Sequence, residues 1–263
     1  MRSFAKKSVV VTGATSGIGR ALCVALHRRG AIVYAAGRSE AELSRLATEC
    51  KDARLVAVRL DVTDEAAFGA LVARVVSECG AIDLLINNAG IVVGGDFEAT
   101  DFESLREIVD VNLWGTMHGT LHAYRAMVRQ GHGHIVNTAS TAGVAPVAKS
   151  TAYAATKHAV VGLSTSLREE GRKHGVRVSV VIPGLVDTAI FGRAKNLPGY
   201  DYSAAIDRVP IRKISAEEAA SATLAGIEND GQYIVYPAYN RMIVRLNRWF
   251  PAFMGWLVNR GVA

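Results

Sequence analysis

The sequence is poor in cysteine. Cys23, Cys50 and Cys79 are odd in number, widely spaced and free of any Cys-x-x-Cys pair. They fit neither a disulfide framework nor a zinc site, and read as reduced thiols of a cytosolic protein. No uninterrupted apolar run approaches the roughly 18 residues that a membrane span requires. The opening residues, MRSFAKKSVVVTG, pass straight into a strand pattern, with no apolar signal segment and cleavage site. A long basic run with interleaved aromatics is also missing, so the net charge of +6 indicates no dedicated nucleic-acid surface. It suits an anionic ligand or an acidic surface equally well. Internal repeats, linkers and low-complexity stretches are lacking too, so residues 1–263 are expected to form one domain.

What the chain does have is a large apolar fraction, 50%, with an ordinary 21% of charged residues, enough for a sizeable core. Short apolar runs alternate with helical patterns from Lys7 to Ile182, the signature of a parallel sheet covered on both faces. Strands are expected at 8–12, 31–36, 55–60, 82–87, 134–138 and 176–182, most of them rich in Val, Ile and Leu, as strands buried on both sides are. Helices are expected at 18–29 and 65–79. The fold class is therefore α/β, a doubly wound parallel sheet of the Rossmann type.

The first strand leads into TGATSGIG, Thr12 to Gly19. Glycines at 13, 17 and 19 permit a tight turn and close approach to a pyrophosphate, and the following helix start offers free N–H donors. Gly13, Thr15, Ser16, Gly17, Ile18 and Gly19 are thus cofactor-binding candidates, with a plain tight turn as the alternative. The second strand ends in Ala36-Gly37-Arg38-Ser39, where an acid would hold a ribose 2′-OH. Arg38 instead offers a charged fork to a 2′-phosphate, so NADP(H) is expected over NAD(H). Asp61 and Val62 follow the third strand, and Asn88, Ala89 and Gly90 follow the fourth, at the sheet edge where such folds bind ligands.

Ser140 opens the stretch STAGVAPVAKSTAYAATK, which ends in Tyr153 and Lys157. Four residues apart on a helix, these two side chains share a face, with about 6 Å between Cβ atoms. At that distance and a dielectric of about 20, the ammonium stabilises a phenolate by about 2–3 kcal/mol, which brings the phenol into acid/base range. A Tyr-x-x-x-Lys pair on a solvated helix is the bland alternative.

Taken together and in order, TGATSGIG, LDVTD, NNAG, VNLWGT, the serine of IVNTAS, YAATK and PGLVDT, spanning about Lys7 to Thr188, resemble the short-chain dehydrogenase/reductase family. The resemblance implies that Tyr153 exchanges a proton with the substrate oxygen and that Lys157 lowers its pKa and holds the nicotinamide ribose. It further implies that Ser140 hydrogen-bonds the reacting oxygen and that Asn112 helps hold a relay water. It places Asn88, Ala89 and Gly90 beside the cofactor, Asp61 and Val62 near adenine, and Pro183, Gly184, Val186 and Thr188 around the nicotinamide. A helix-capping role remains open for Thr188. No metal is expected: His118 and His122 are four apart but lack a Glu and a third ligand.

Residues 189–213 are expected to close over substrate, with Ile190, Phe191, Leu197, Tyr200 and Tyr202 as walls and Val144, Pro146 and Val147 opposite. That lining suits an apolar carbonyl or secondary alcohol. A homodimer is expected, because the segment 238–263 departs from the family's usual tetramer-forming end. In that segment Arg241, Arg245 and Arg248 fall on one side at helical spacing, and Met242, Leu246, Trp249, Phe250 and Phe253 on another, with a break at Pro251. Packing over the substrate entrance, a subunit contact and an acidic membrane surface are all open readings. The expectation is a cytoplasmic NADP(H)-dependent oxidoreductase, with membrane association open. A bound-cofactor epimerase or dehydratase and a dinucleotide-sensing binding protein stand as alternatives.

Overall fold

Seven parallel strands form the centre of the molecule, and a computed structural model describes residues 3–262, with side chains through Trp256. The strands of the sheet are β1 (Ser8–Thr12), β2 (Ile32–Gly37), β3 (Leu55–Arg59), β4 (Leu84–Asn87), β6 (Gly133–Thr138), β7 (Val176–Pro183) and β9 (Tyr233–Tyr236). A separate two-stranded ladder joins β5 (Val93–Gly94) to β8 (Lys195–Asn196). The order β3-β2-β1-β4-β6-β7-β9 reverses between β1 and β4. At such a reversal the outgoing connections diverge to opposite faces and leave a crevice at the carboxyl edge. Register supports this: Val9 pairs with Val33 on one side and with Leu84 on the other.

Val9, Val10, Val11, Leu84, Leu85 and Ile86 are fully buried, so both faces of β1 and β4 are covered. On one face Val9 and Val11 pack with Leu22 and Leu26 of α1 (Gly17–Arg28) and Leu224 of α8 (Ala216–Glu228). On the other, Val10 and Leu85 pack with Phe68 and Val72 of α3 (Glu65–Cys79) and Met127 of α5 (Gly115–Gln130). The remaining helices are α2 (Glu40–Cys50), α4 (Phe102–Val109), α6 (Thr151–Gly171), α7 (Tyr202–Asp207), α9 (Ala238–Trp249) and α10 (Pro251–Val262).

The helix starts differ in a way that bears on the site. Side chains of Ser39, Asp64, Asp101, Asp201 and Ser215 accept from backbone amides and cap α2, α3, α4, α7 and α8. Ser16 stands at the same position before α1 but makes no such bond. The opening amides of α1 therefore have no side-chain acceptor, and they lie at the crevice. Among the described residues no helix is long and apolar enough to cross a membrane.

Candidate active site

A cavity of about 1030 Å3 opens at the carboxyl edge of the sheet, above β1 and β4. All the catalytic and cofactor-binding candidates named from the sequence border it except Gly19 and Asn112. Gly19 packs behind the loop, where a Cβ would lie 2.2 Å from the Gly13 carbonyl oxygen. Gly13 and Gly17 have φ of +67° and +51°, a region open to glycine at little cost. A Cβ on Gly13 would lie 2.9 Å from Ala89 Cα, and one on Gly17 2.9 Å from Thr188 Cγ2. The loops after β1, β4 and β7 thus meet at van der Waals distance around a narrow floor.

Thr12, which the sequence pattern did not single out, ties that floor together. Its hydroxyl accepts from the amides of Asn88 (3.0 Å) and Ala89 (3.1 Å). Asn88 returns a bond from its side-chain amide to the Thr12 carbonyl (3.2 Å), so its side chain braces the loop. The signal was available: a Thr at the end of β1 opposite the first residue past β4.

Tyr153 and Lys157 lie on α6, as the four-residue spacing requires, with the ammonium 5.6 Å from the centre of the phenol ring. Lys157 is only 4% exposed and donates to the Thr138 carbonyl at 2.9 Å. Burial pulls its pKa down from 10.5 to about 8. Tyr153 moves the other way from the sequence-based expectation. Burial pushes the phenol above its ordinary range, the nearby Tyr202 adds to this, and only its hydrogen bond with Ser140 opposes it. In this pocket desolvation of the phenolate is the largest effect, so the phenol is held protonated.

Ser140 follows β6 and serves two partners. Its oxygen accepts from the Ala142 amide at 3.2 Å, capping a single 3-10 turn, and it hydrogen-bonds the Tyr153 phenol. The capping reading and the catalytic reading are therefore compatible, because the cap uses a lone pair and leaves the O–H to be donated.

Asn112 sits out of the cavity, fully buried in a π-helical turn, Asp110–Trp114, between α4 and α5. Its side-chain amide donates to the Ile91 carbonyl (2.9 Å) and accepts from the Ile91 amide (2.8 Å). It also reaches Thr156 Oγ1 at 3.3 Å. It thus couples the loop after β4 to α6, and a Cβ on Gly90 would meet its oxygen at 3.1 Å and the Lys157 Nζ at 3.5 Å.

At the far end, Arg38 is exposed and borders the cavity, and among the described residues it has no ion-pair partner. Burial pushes the Asp61 carboxyl up, but the Thr63 amide and hydroxyl and the charge of Arg38 together bring it below its usual range. The Val62 carbonyl accepts from His118 Nδ1 at 3.0 Å, and His122 pairs with Glu65, so both histidines have protein partners. At the other end Val186 is buried and bridges to Ile214, while Pro183 and Gly184 are held by Thr141 and Tyr236. Thr188 caps no helix; its nearest acceptor, the Val186 carbonyl, is 3.5 Å away.

The expected substrate walls are partly corrected. Ile190, Phe191, Tyr202, Pro146 and Val147 border the cavity, whereas Leu197, Tyr200 and Val144 do not. Leu197 is buried with Val93 and Ile108, and Val144 packs on Val160 and Ile182. Four lining residues come from the C-terminal segment: Tyr239, Asn240 and Ile243 of α9 and Met254 of α10. The break at Pro251 separates these helices, as expected.

A model of short chain dehydrogenases matches residues 7–197. The chain belongs to the short-chain dehydrogenase/reductase family. An uncharacterized oxidoreductase of Staphylococcus saprophyticus is 36% identical over 189 residues, 71% of this chain and 81% of that protein. A family member from Burkholderia phymatum, solved in complex with NAD, superposes with a TM-score of 0.87 at 30% identity, covering 96% of each chain. A dehydrogenase from Sphingobium yanoikuyae, in complex with NADPH, gives 0.80 at 29%, covering 95% of this chain and 94% of that one. The protein is accordingly an NAD(P)-dependent dehydrogenase/reductase with a single-domain Rossmann-type fold. The glycine floor at Gly13 and Gly17 and the uncapped start of α1 fit a dinucleotide's pyrophosphate, since that group needs close backbone approach and free N–H donors.

Proposed function

We propose that this enzyme reduces a ketone on an apolar small molecule to a secondary alcohol at the expense of NADPH, with Tyr153 as proton donor. The observation that carries the reading is Tyr153 held protonated by burial and bonded to Ser140 at the mouth of a dinucleotide-sized cleft. Bound in that cleft, the reduced nicotinamide supplies a hydride to the carbonyl carbon. As negative charge grows on the substrate oxygen, Ser140 and Tyr153 meet it with two hydroxyl donors, and Tyr153 passes its proton across. A phenol that resists ionisation in the free enzyme suits this direction, because reduction starts from the protonated form. Lys157, charged below about pH 8, stabilises the phenolate that remains and reaches the ribose hydroxyls. Asn112 positions the loop after β4 and α6 relative to one another.

Preference for NADPH rests on Arg38, which has a free guanidinium where a ribose-binding acid would stand. Asp61 and Val62 would flank the adenine, Asn88, Ala89 and Gly90 would lie beside the cofactor, and Pro183, Gly184, Val186 and Thr188 would surround the nicotinamide. Substrate class rests on Ile190, Phe191, Pro146, Val147, Ile243 and Met254, an apolar lining suited to a lipid-like, steroid-like or aromatic ketone. A homodimer is favoured by Trp114 and Leu121, seven residues apart and both about half exposed. The whole chain, 1–263, acts as one domain. Near-ultraviolet absorbance with a panel of apolar ketones tests the reading. NADPH consumption exceeding NADH consumption is expected; cofactor binding with no consumption by any ketone would instead favour an epimerase, a dehydratase or a dinucleotide sensor.

A further inference from the structure

The C-terminal pair α9 and α10 has two faces of opposite character. The inner face is fastened to the site: Asn240 donates to the Ile182 carbonyl at 2.9 Å and accepts from Thr141 Oγ1 at 2.7 Å. Asn247 donates to the Val144 carbonyl at 2.6 Å, and Ile243 and Met254 border the cavity, Met254 only 4% exposed. With the inner face so fixed, the outer face is settled. It carries Arg241, Arg245 and Arg248 alongside Met242 and Trp249, continued by Phe250 and Phe253 across the break. Trp249 is 74% exposed and Phe250 60%, among the most exposed apolar side chains of the molecule.

Charge decides what this face can meet. From Ala238 to Ala263 the sequence has four arginines and no Asp or Glu. Among the described residues no carboxylate anywhere lies within ion-pair distance of Arg241, Arg245 or Arg248. A second copy is a poor occupant, because a two-fold contact sets the same arginine row against itself. An acidic bilayer complements the row and accepts the neighbouring rings at headgroup depth, the arrangement of an interfacial helix.

We infer that the outer face of α9 and α10 docks on an anionic lipid surface, so that the same helices separate the bilayer from the substrate cavity. An apolar substrate then enters between Ile243 and Met254 directly from the lipid phase. The docking itself stands apart from the proposed reaction; only the entry route rests on it.

The test is vesicle flotation of the full chain with phosphatidylcholine alone and with phosphatidylcholine containing phosphatidylglycerol. Binding is expected to the anionic vesicles, to weaken in high salt and to be faint with the neutral ones. Each basic residue near such a surface is worth about five-fold in partitioning, so Arg245→Glu with Arg248→Glu is expected to lower binding at least about thirty-fold. Arg241 is left in place because its Nε donates to the Val235 carbonyl. Trp249→Ser with Phe253→Ser is expected to abolish retention in high salt. Turnover of a water-soluble ketone without vesicles is expected to stay within about two-fold of the parent in both double variants. Absent flotation, or flotation unchanged by both double variants, overturns the inference. So does a concentration-dependent mass increase that Trp249→Ser removes, which would seat a second copy on this face. Flotation without any ketone turnover leaves docking intact and contradicts only the reductase reading.

Discussion

Lys157 is a buried ammonium with one carbonyl partner, and its position has opposite consequences for chemistry and for stability. Its proton is held to about pH 8 in the folded chain, against 10.5 when unfolded. Between those values the unfolded state binds more protons, so this group makes stability rise as pH rises through the window. Activity runs the other way: if the charge is needed to stabilise the Tyr153 phenolate, turnover falls as pH rises through about 8. Lys157→Met is expected to cost at least about 100-fold in turnover. Its stability should lie within about 1 kcal/mol of the parent at neutral pH, with the rise between pH 8 and 10 lost. Urea titrations at several pH values, beside kcat against pH, check both signs. At the other end of the cleft, Arg38→Asp is expected to reverse the cofactor preference, weakening NADPH at least about ten-fold while sparing NADH, read from kcat/KM for each. The unequal legibility of these residues has a physical origin. Spacing alone put Tyr153 and Lys157 on one face, but the direction of the Tyr153 shift depends on how dry the cavity is, which spacing does not encode.

Among the elements, the loop after β1 and the π-helical turn before α5 do most to shape the cleft. Gly17 has φ of +51° and no room for a Cβ beside Thr188. Gly17→Ala is expected to destabilise by about 1–3 kcal/mol and to raise the NADPH Kd several-fold, checked by thermal melts with and without cofactor. Thr188→Gly in that background removes the clash but not the backbone strain, so only part of the loss should return. Asn112→Ala leaves both backbone polar groups of the half-buried Ile91 without their side-chain partner, and about 1–3 kcal/mol of stability should go with them, read from urea midpoints. The glycine loop was legible because its residue types admit few backbone conformations. The π-turn was not, because no residue type singles out the place where a helix takes in one extra residue. For the same reason Leu197, Tyr200 and Val144 looked like substrate walls: apolarity marks a residue as buried without saying whether its neighbour is cavity or core.

At the scale of the molecule, the six expected strands lie within two residues of their observed bounds at each end, because most are runs of Val, Ile and Leu, whereas the short β5 and β8 carry no such run. The break at Pro251 was equally plain. Which face of the C-terminal helices turns inward was not, since that depends on Asn240 and Asn247 finding carbonyls far away in sequence. The sheet, the floor of small residues and the C-terminal helices all border the cavity that holds Tyr153, the proposed proton donor. The most direct test therefore changes a single atom there. Tyr153→Phe should bind NADPH with a Kd within about three-fold of the parent by fluorescence titration. With a ketone that the parent reduces, its turnover should fall by about 1000-fold, the middle of the range for losing a general acid. Turnover within about ten-fold of the parent, with NADPH still bound, would contradict the account.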